Sequence, residues 1–311
     1  MKDSGARLKP IALLLCAALT VLAACRKARN APAVSPEREV RVVATIFPVY
    51  DIMRETGGIR ASVSLLVPPG AEAHSFEPRP SDAVKSASVQ VFAYAGDSME
   101  PWARKFAAGL DSSGLLIADL SRGVRLRAPA SGAGSDPHIW LDFANAAAMA
   151  ENAARALSAV DPPNKDYYYS NLAVIKRRLA KLDAEYKTGL ASCRSRAVIY
   201  AGHFSFGYLA ARYGLEYHAL GDAGPDAEPS AGRVAGLARA ARAAGAKTVF
   251  AEEMSSPKFA QAVASEIGAQ VETLNPMHEI TRSDFDSGED YYSIMEDNLR
   301  ALSKGLGCAK P

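Results

Sequence analysis

The sequence predicts an α/β fold of two lobes, each with a mostly parallel sheet flanked by helices, joined by one long rigid backbone helix. Three observations lead to that class. Short β-branched runs alternate with helical segments from Val40 onward, the pattern of βαβ crossovers and hence of a parallel sheet. The alternation resumes after residue 191, without a close internal repeat. Between the halves Leu172, Ile175, Leu179, Leu182 and Tyr186 recur three or four positions apart, as on one face of a helix.

In the first half, residues 40–46 form a strand and a helix through Asp51 to Thr56 ends at Gly57-Gly58. A second strand covers 61–67 and closes at Pro68-Pro69-Gly70. A short helix at 81–86 precedes strands at 89–95 and 113–118, so the amino-terminal lobe takes residues 40–160. Asp161-Pro162-Pro163 opens the linking segment, 161–190. Its stretch 164–190 lacks Pro or Gly before Gly189, and a helix of about 27 residues extends roughly 40 Å. Lys176, Arg177, Arg178, Lys181 and Lys187 form its solvated face. The carboxy-terminal lobe, 191–311, has strands predicted at 197–201, 215–220, 248–251 and 270–274. Its helices are expected at 204–212, 231–244, 258–267 and 291–306.

Composition supports a folded chain of two domains: 311 residues, 49% apolar and 23% charged. Thirty-six basic and 34 acidic residues leave a formal charge of +2, without the basic excess of a nucleic-acid partner. The amino terminus accounts for that small surplus. Lys2, Arg7 and Lys9 precede an apolar run at 11–23, which reads as a signal peptide over 1–24 and is too short to span a bilayer. Leu22-Ala23-Ala24-Cys25 resembles a bacterial lipobox, which implies lipid on Cys25. The mature chain would then be neutral, and residues 25–39, with Pro32 and Pro36, would be a lipid-anchored tether to the membrane.

Cys16 leaves with the signal, so Cys193 and Cys308 remain. In an oxidising compartment they are expected either to form one disulfide or to stay as two buried thiols.

Three of the five histidines occupy comparable places. His74 follows the second strand, His203 follows the first strand of the second half, and His138 lies in Asp136-Pro137-His138-Ile139-Trp140-Leu141-Asp142. Open α/β sheets bind ligands beyond the carboxyl ends of their strands. Imidazoles from three segments suit a borderline transition metal. His218 lies on a strand without a ligand pattern and is expected to be structural.

These segments, with Gly70–Pro78, His203–Tyr208, Tyr213-Gly214-Leu215, Leu274-Asn275-Pro276-Met277 and Tyr291-Tyr292, resemble the metal-binding lipoproteins of zinc and manganese ABC importers. The resemblance covers nearly the whole mature chain. It implies a monomeric, extracytoplasmic, lipid-anchored receptor that binds Zn²⁺, or alternatively Mn²⁺, as cargo for an ABC permease. It further implies His74, His138 and His203 as ligands; a histidine at the third place favours zinc. The fourth ligand is expected to be acidic, about a dozen residues before the Tyr of the last helix, which selects Glu279, with His278 next. Asp284, Asp286, Glu289 and Asp290 are assigned to capping. Zinc-type members often carry a His-rich loop; here residues 128–135 contain no His, which fits manganese-type members.

Two other readings stand beside this one. Three histidines and a water would also make a zinc hydrolase, with Glu72 or Glu252 as base, although no His-Glu-x-x-His is present. Glu252 or Glu253 would otherwise orient an imidazole. The chain could also be a surface adhesion lipoprotein. Ligands spread over both lobes suit capture and release, so no enzymatic activity is expected.

Overall fold

A computed structural model describes residues 39–110, 114–128, 134–221 and 228–309. The expected signal peptide, Cys25 and nearly all of the tether lie outside the described residues. The first sheet contains β1 (Val40–Ala44), β2 (Ala61–Leu65), β3 (Val91–Tyr94) and β4 (Leu116–Asp119), ordered β2-β1-β3-β4. The second contains β5 (Ala197–His203), β6 (Glu216–Gly221), β7 (Thr248–Glu252) and β8 (Gln270–Leu274), ordered β6-β5-β7-β8. All pairings within both sheets are parallel. Strands β3, β5 and β7 are buried along their whole length, as expected of strands covered by helices on both faces.

Around the first sheet lie α1 (Phe47–Gly57), α2 (Pro80–Ser86), α3 (Ala103–Ala108) and α4 (Phe143–Val160). The bridging helix is α5 (Lys165–Gly189). The second sheet carries α6 (Gly207–Tyr213), α7 (Ala231–Ala243), α8 (Lys258–Ile267), α9 (Arg282–Ser287) and α10 (Tyr291–Gly305).

Three of these helices have no counterpart in the sequence reading: α3, α4 and α9. In α4 alanines occur on the buried and the exposed faces alike, which blurs the apolar stripe. Its start is nevertheless marked by Asp142, whose Oδ1 accepts from the amides of Ala144 at 2.7 Å and Asn145 at 3.3 Å. The helix expected at 204–212 begins at Gly207 instead. Residues 204–206 form a loop because Phe204 N–H donates to the Gly221 carbonyl and the next two amides donate to the Tyr217 hydroxyl. Strand β4 is shifted to Leu116–Asp119, and Ser113 lies outside the described residues.

Helix α5 buries Tyr168, Leu172, Ile175, Leu179, Leu182 and Tyr186 in one hydrophobic cluster that includes residues of both sheets. Its polar contacts reach both sides too. Asn171 Nδ2 donates to the Thr56 carbonyl, Tyr186 Oη to the Met295 carbonyl, and Asp183 pairs with Arg212. Arg178 lies on the exposed face, yet it pairs with Glu55 and Asp290 and stacks 3.5 Å above the Tyr292 ring. Cys193 and Cys308 are joined by a disulfide. Among the described residues no helix is long and apolar enough to cross a membrane.

Candidate metal centre

The expected ligands arrive at the last residue of β5 and on three loops that follow strands or precede helices, and these loops are tied to one another. Gly70 N–H, after β2, donates to the Ile280 carbonyl, after β8. Trp140 Nε1 donates to the Pro276 carbonyl at 2.9 Å, and Tyr291 Oη donates to the Trp140 carbonyl at 2.7 Å. Asn298 clamps Asn275 by accepting from its N–H and donating to its carbonyl, each at 2.8 Å. Asn275 Oδ1 accepts from the Met277 amide, whose residue has a left-handed φ of 69°. That conformation costs roughly 1–2 kcal/mol for a side-chain-bearing residue. It immediately precedes His278 and sets the direction in which the chain presents that ring.

One donor atom each from His74, His138, His203 and His278 lies within 4.8 Å of the other three. His138 Nε2 is 3.3 Å from His74 Nε2 and 3.0 Å from His203 Nε2. Donors placed 2.0–2.1 Å from a tetrahedral ion stand about 3.3–3.4 Å apart, which the His74–His138 spacing matches and the His138–His203 spacing approaches from below. The first three expected residues are therefore brought together. The fourth member of this group is His278, the second choice for that place, while Glu279 Oε1, the first choice, lies beside the group, 3.5 Å from His278 Nε2. Glu72, His278 and Glu279 form a second set with donor atoms within 4.8 Å of one another.

Buried carboxylates stand behind two of the imidazoles. Asp136 Oδ1 accepts from the His138 backbone N–H at 3.0 Å and faces Nδ1 at 2.9 Å. Glu252 Oε1 lies 2.7 Å from His203 Nδ1, while Oε2 accepts from the His203 backbone N–H at 3.1 Å. Where the carboxylate is ionised it is an acceptor only, so the Nδ1 facing it carries the proton and the Nε2 presents its lone pair. Two lone pairs directed at one point 3.0 Å apart repel until a cation lies between them. Gly202 and Gly207 leave the space this requires: a Cβ on the first would collide with Glu252 and Tyr200, and on the second with Asp136 and Phe204. Glu72 supports the third ring through the main chain, its Oε1 accepting from the His74 N–H at 2.6 Å.

Burial sets the protonation states. It lowers His74 to about 2, helped by repulsion from His278 and His203, and lowers His278 to about 3. His138 is held well below its ordinary value, first by burial and then by its three neighbours. These rings are neutral, ready donors at neutral pH. Burial raises Asp136 to about 7 against the pull of the His138 amide. For Glu252, burial is outweighed by the hydrogen bond and charge of His203, and its carboxyl lies below the usual range.

The acid before the histidine is the residue that sequence reasoning missed at the second ligand. The signal was present twice, as Glu72-Ala73-His74 and Asp136-Pro137-His138. His218 is outside the cluster and pairs with Glu216. Glu253 hydrogen-bonds Asn275 rather than an imidazole. Asp290 caps α10, accepting from the amides of Tyr292 and Ser293, and Asp284 belongs to the start of α9.

Comparison with known proteins gives the same architecture. The chain is 31% identical over 312 residues to the zinc-binding lipoprotein AdcA of Streptococcus pneumoniae strain R6, covering 96% of this chain and 61% of that protein. It thus spans about three fifths of the length of that relative. It is 30% identical over 307 residues to the high-affinity zinc uptake system protein ZnuA of Bacillus subtilis, covering 94% and 96% of the two chains. The crystal structure of the Zn(II)-bound ZnuA-like domain of S. pneumoniae AdcA superposes with a TM-score of 0.75 at 32% identity, covering 86% of this chain and 99% of that one. The family profile matches residues 42–305, and the chain belongs to the ZnuA family, the periplasmic component A of the zinc-uptake complex.

Proposed function

We propose that the protein is an extracytoplasmic zinc receptor that holds one Zn²⁺ on His74, His138, His203 and His278 and delivers it to the permease of an ABC importer. The observation that carries this reading is the convergence of four imidazole donors within 4.8 Å of one another. Charge balance supports a dication, because the Glu252 carboxylate, held below the usual carboxyl range, is buried directly behind His203, with Asp136 behind His138. Four nitrogens and no carboxylate favour zinc over manganese, which prefers oxygen-rich, higher-coordinate sites. Four protein donors also close a tetrahedral ion, whereas a catalytic zinc keeps a position open for water, which argues against the hydrolase reading.

In this proposal Cys25 carries the lipid and residues 25–39 tether a monomeric receptor to the membrane. Lobes at 40–160 and 191–311 flank the linker at 161–190. The relatives' names, zinc-binding lipoprotein and zinc uptake protein, support the cargo and the setting. Elemental analysis of protein stripped of metal and then exposed to zinc tests the function. One zinc per chain is expected, with loss of that zinc in a His74→Ala/His203→Ala variant; retention in the variant would reject the site.

A further inference from the structure

We infer that Glu72, His278 and Glu279 form an outer metal position, which receives a hydrated divalent transition-metal ion and passes it to the four histidines through the shared His278. This rests on the reading of the four-histidine set as the resting place of the ion. The three outer donor atoms lie within 4.8 Å of one another. Glu72 and Glu279 line a cleft of about 650 Å³ beyond the carboxyl ends of β5, β6 and β7. His203 also borders that cleft, but the other three imidazoles do not. The outer set thus meets the cleft through Glu72 and Glu279 and the inner set meets it through His203, with His278 common to both sets.

His278 supplies the observation that points to a ligand. It is 2% exposed, and neither ring nitrogen has a hydrogen-bond partner, although Nε2 is 3.5 Å from Glu279 Oε1. A buried imidazole without a protein hydrogen-bond partner gains one from a cation at either position.

The electrostatics explain why two positions are useful. Neutral imidazoles exert little long-range pull on a dication, and the carboxylates behind them are buried and engaged with His138 and His203. Two carboxylates at the cleft raise the local cation concentration and accept the ion while waters leave. Transfer then exchanges two carboxylate oxygens for three imidazole nitrogens, with His278 common to both sets. The ion stays divalent and no electron or proton is transferred. Glu72 couples the two steps, because its Oε1 also accepts from the His74 backbone N–H at 2.6 Å.

The test is stopped-flow mixing of metal-free full-length protein with Zn²⁺, followed by tryptophan fluorescence; the Trp140 ring centroid is 5.5 Å from that of His138. In a Glu72→Gln/Glu279→Gln variant the association rate is expected to fall about tenfold or more and to lose most of its dependence on ionic strength. Dissociation to a chelator slows alongside it, because departure uses the same position. The single Glu279→Gln variant leaves the Glu72 hydrogen bond intact, should the double variant fail to fold, and gives an intermediate rate. Association within twofold of the unaltered protein would overturn the outer position. So would an unchanged association rate with collapsed affinity, which would make Glu279 a resting ligand. Unaltered protein that takes up no zinc in the same apparatus would overturn the functional reading itself.

Discussion

Replacing Glu252 with Gln probes how the carboxy-terminal lobe presents its ligand. The carboxylate uses both oxygens on one residue, Oε1 facing His203 Nδ1 at 2.7 Å and Oε2 accepting from the His203 backbone N–H at 3.1 Å. Gln has a single acceptor oxygen, so its amide N–H₂ must face one of those two donors. An unsatisfied buried donor costs about 1–3 kcal/mol, paid in the zinc-bound state, where Nε2 must be the free nitrogen. The same figure follows independently from the 10–100-fold loss typical when an outer partner of a metal-bound histidine is removed, about 1.4–2.7 kcal/mol. Competition against a chromophoric zinc chelator at pH 7.5 measures the change, with thermal unfolding to verify the fold. Affinity within about threefold of the unaltered protein would refute the claim that Glu252 orients His203.

His278→Ala removes one of the four donors and is expected to weaken zinc binding at least about a hundredfold, whereas Glu279→Gln changes equilibrium affinity by less than about tenfold; the reverse order in the same titration would restore the acidic ligand expected from the sequence. The pH profile separates buried from ordinary histidines. Lowering a base's pKa keeps it neutral to lower pH, so His74 at about 2, His278 at about 3 and the strongly lowered His138 do not compete for protons between pH 6.5 and 5. The logarithm of zinc affinity is therefore expected to fall by about one unit or less per pH unit there, and a slope near three or four contradicts this. Removing the disulfide with Cys193→Ser/Cys308→Ser opens a loop spanning 115 positions and is expected to lower stability by about 2–5 kcal/mol in urea unfolding. A loss under about 1 kcal/mol would show that the bond contributes little.

The alternation of strands and helices was legible because β-branched runs and glycine or proline stops mark each strand of a covered parallel sheet. Helix α5 was legible for the complementary reason: its apolar stripe contrasts with a face of lysines and arginines. Helix α4 has no such contrast, since alanine serves on both sides, and only its Asp142 cap signals a start. His74 and His203 could be selected by their positions at strand ends, and His138 by the loop segment Asp136–Asp142 that carries it. The fourth place was narrowed to two neighbours, since counting back 12 residues from Tyr291 reaches Glu279, one position beyond the His278 ring that enters the cluster. That one-residue difference arises where Met277 takes a left-handed conformation held by Asn275 and Asn298, a tertiary arrangement that spacing does not encode. The Asp136 support was missed although it repeats the acid-x-His pattern of Glu72 and His74. Its significance depends on the carboxylate turning back onto its own histidine, seen only in the folded loop.

The most direct test of four-histidine coordination is X-ray absorption at the zinc edge of protein loaded with one equivalent. A first shell of four light donors at about 2.0–2.1 Å, with outer-shell multiple scattering from four imidazoles, is the expected result. Scattering from three imidazoles with a carboxylate or water in the remaining place would contradict it.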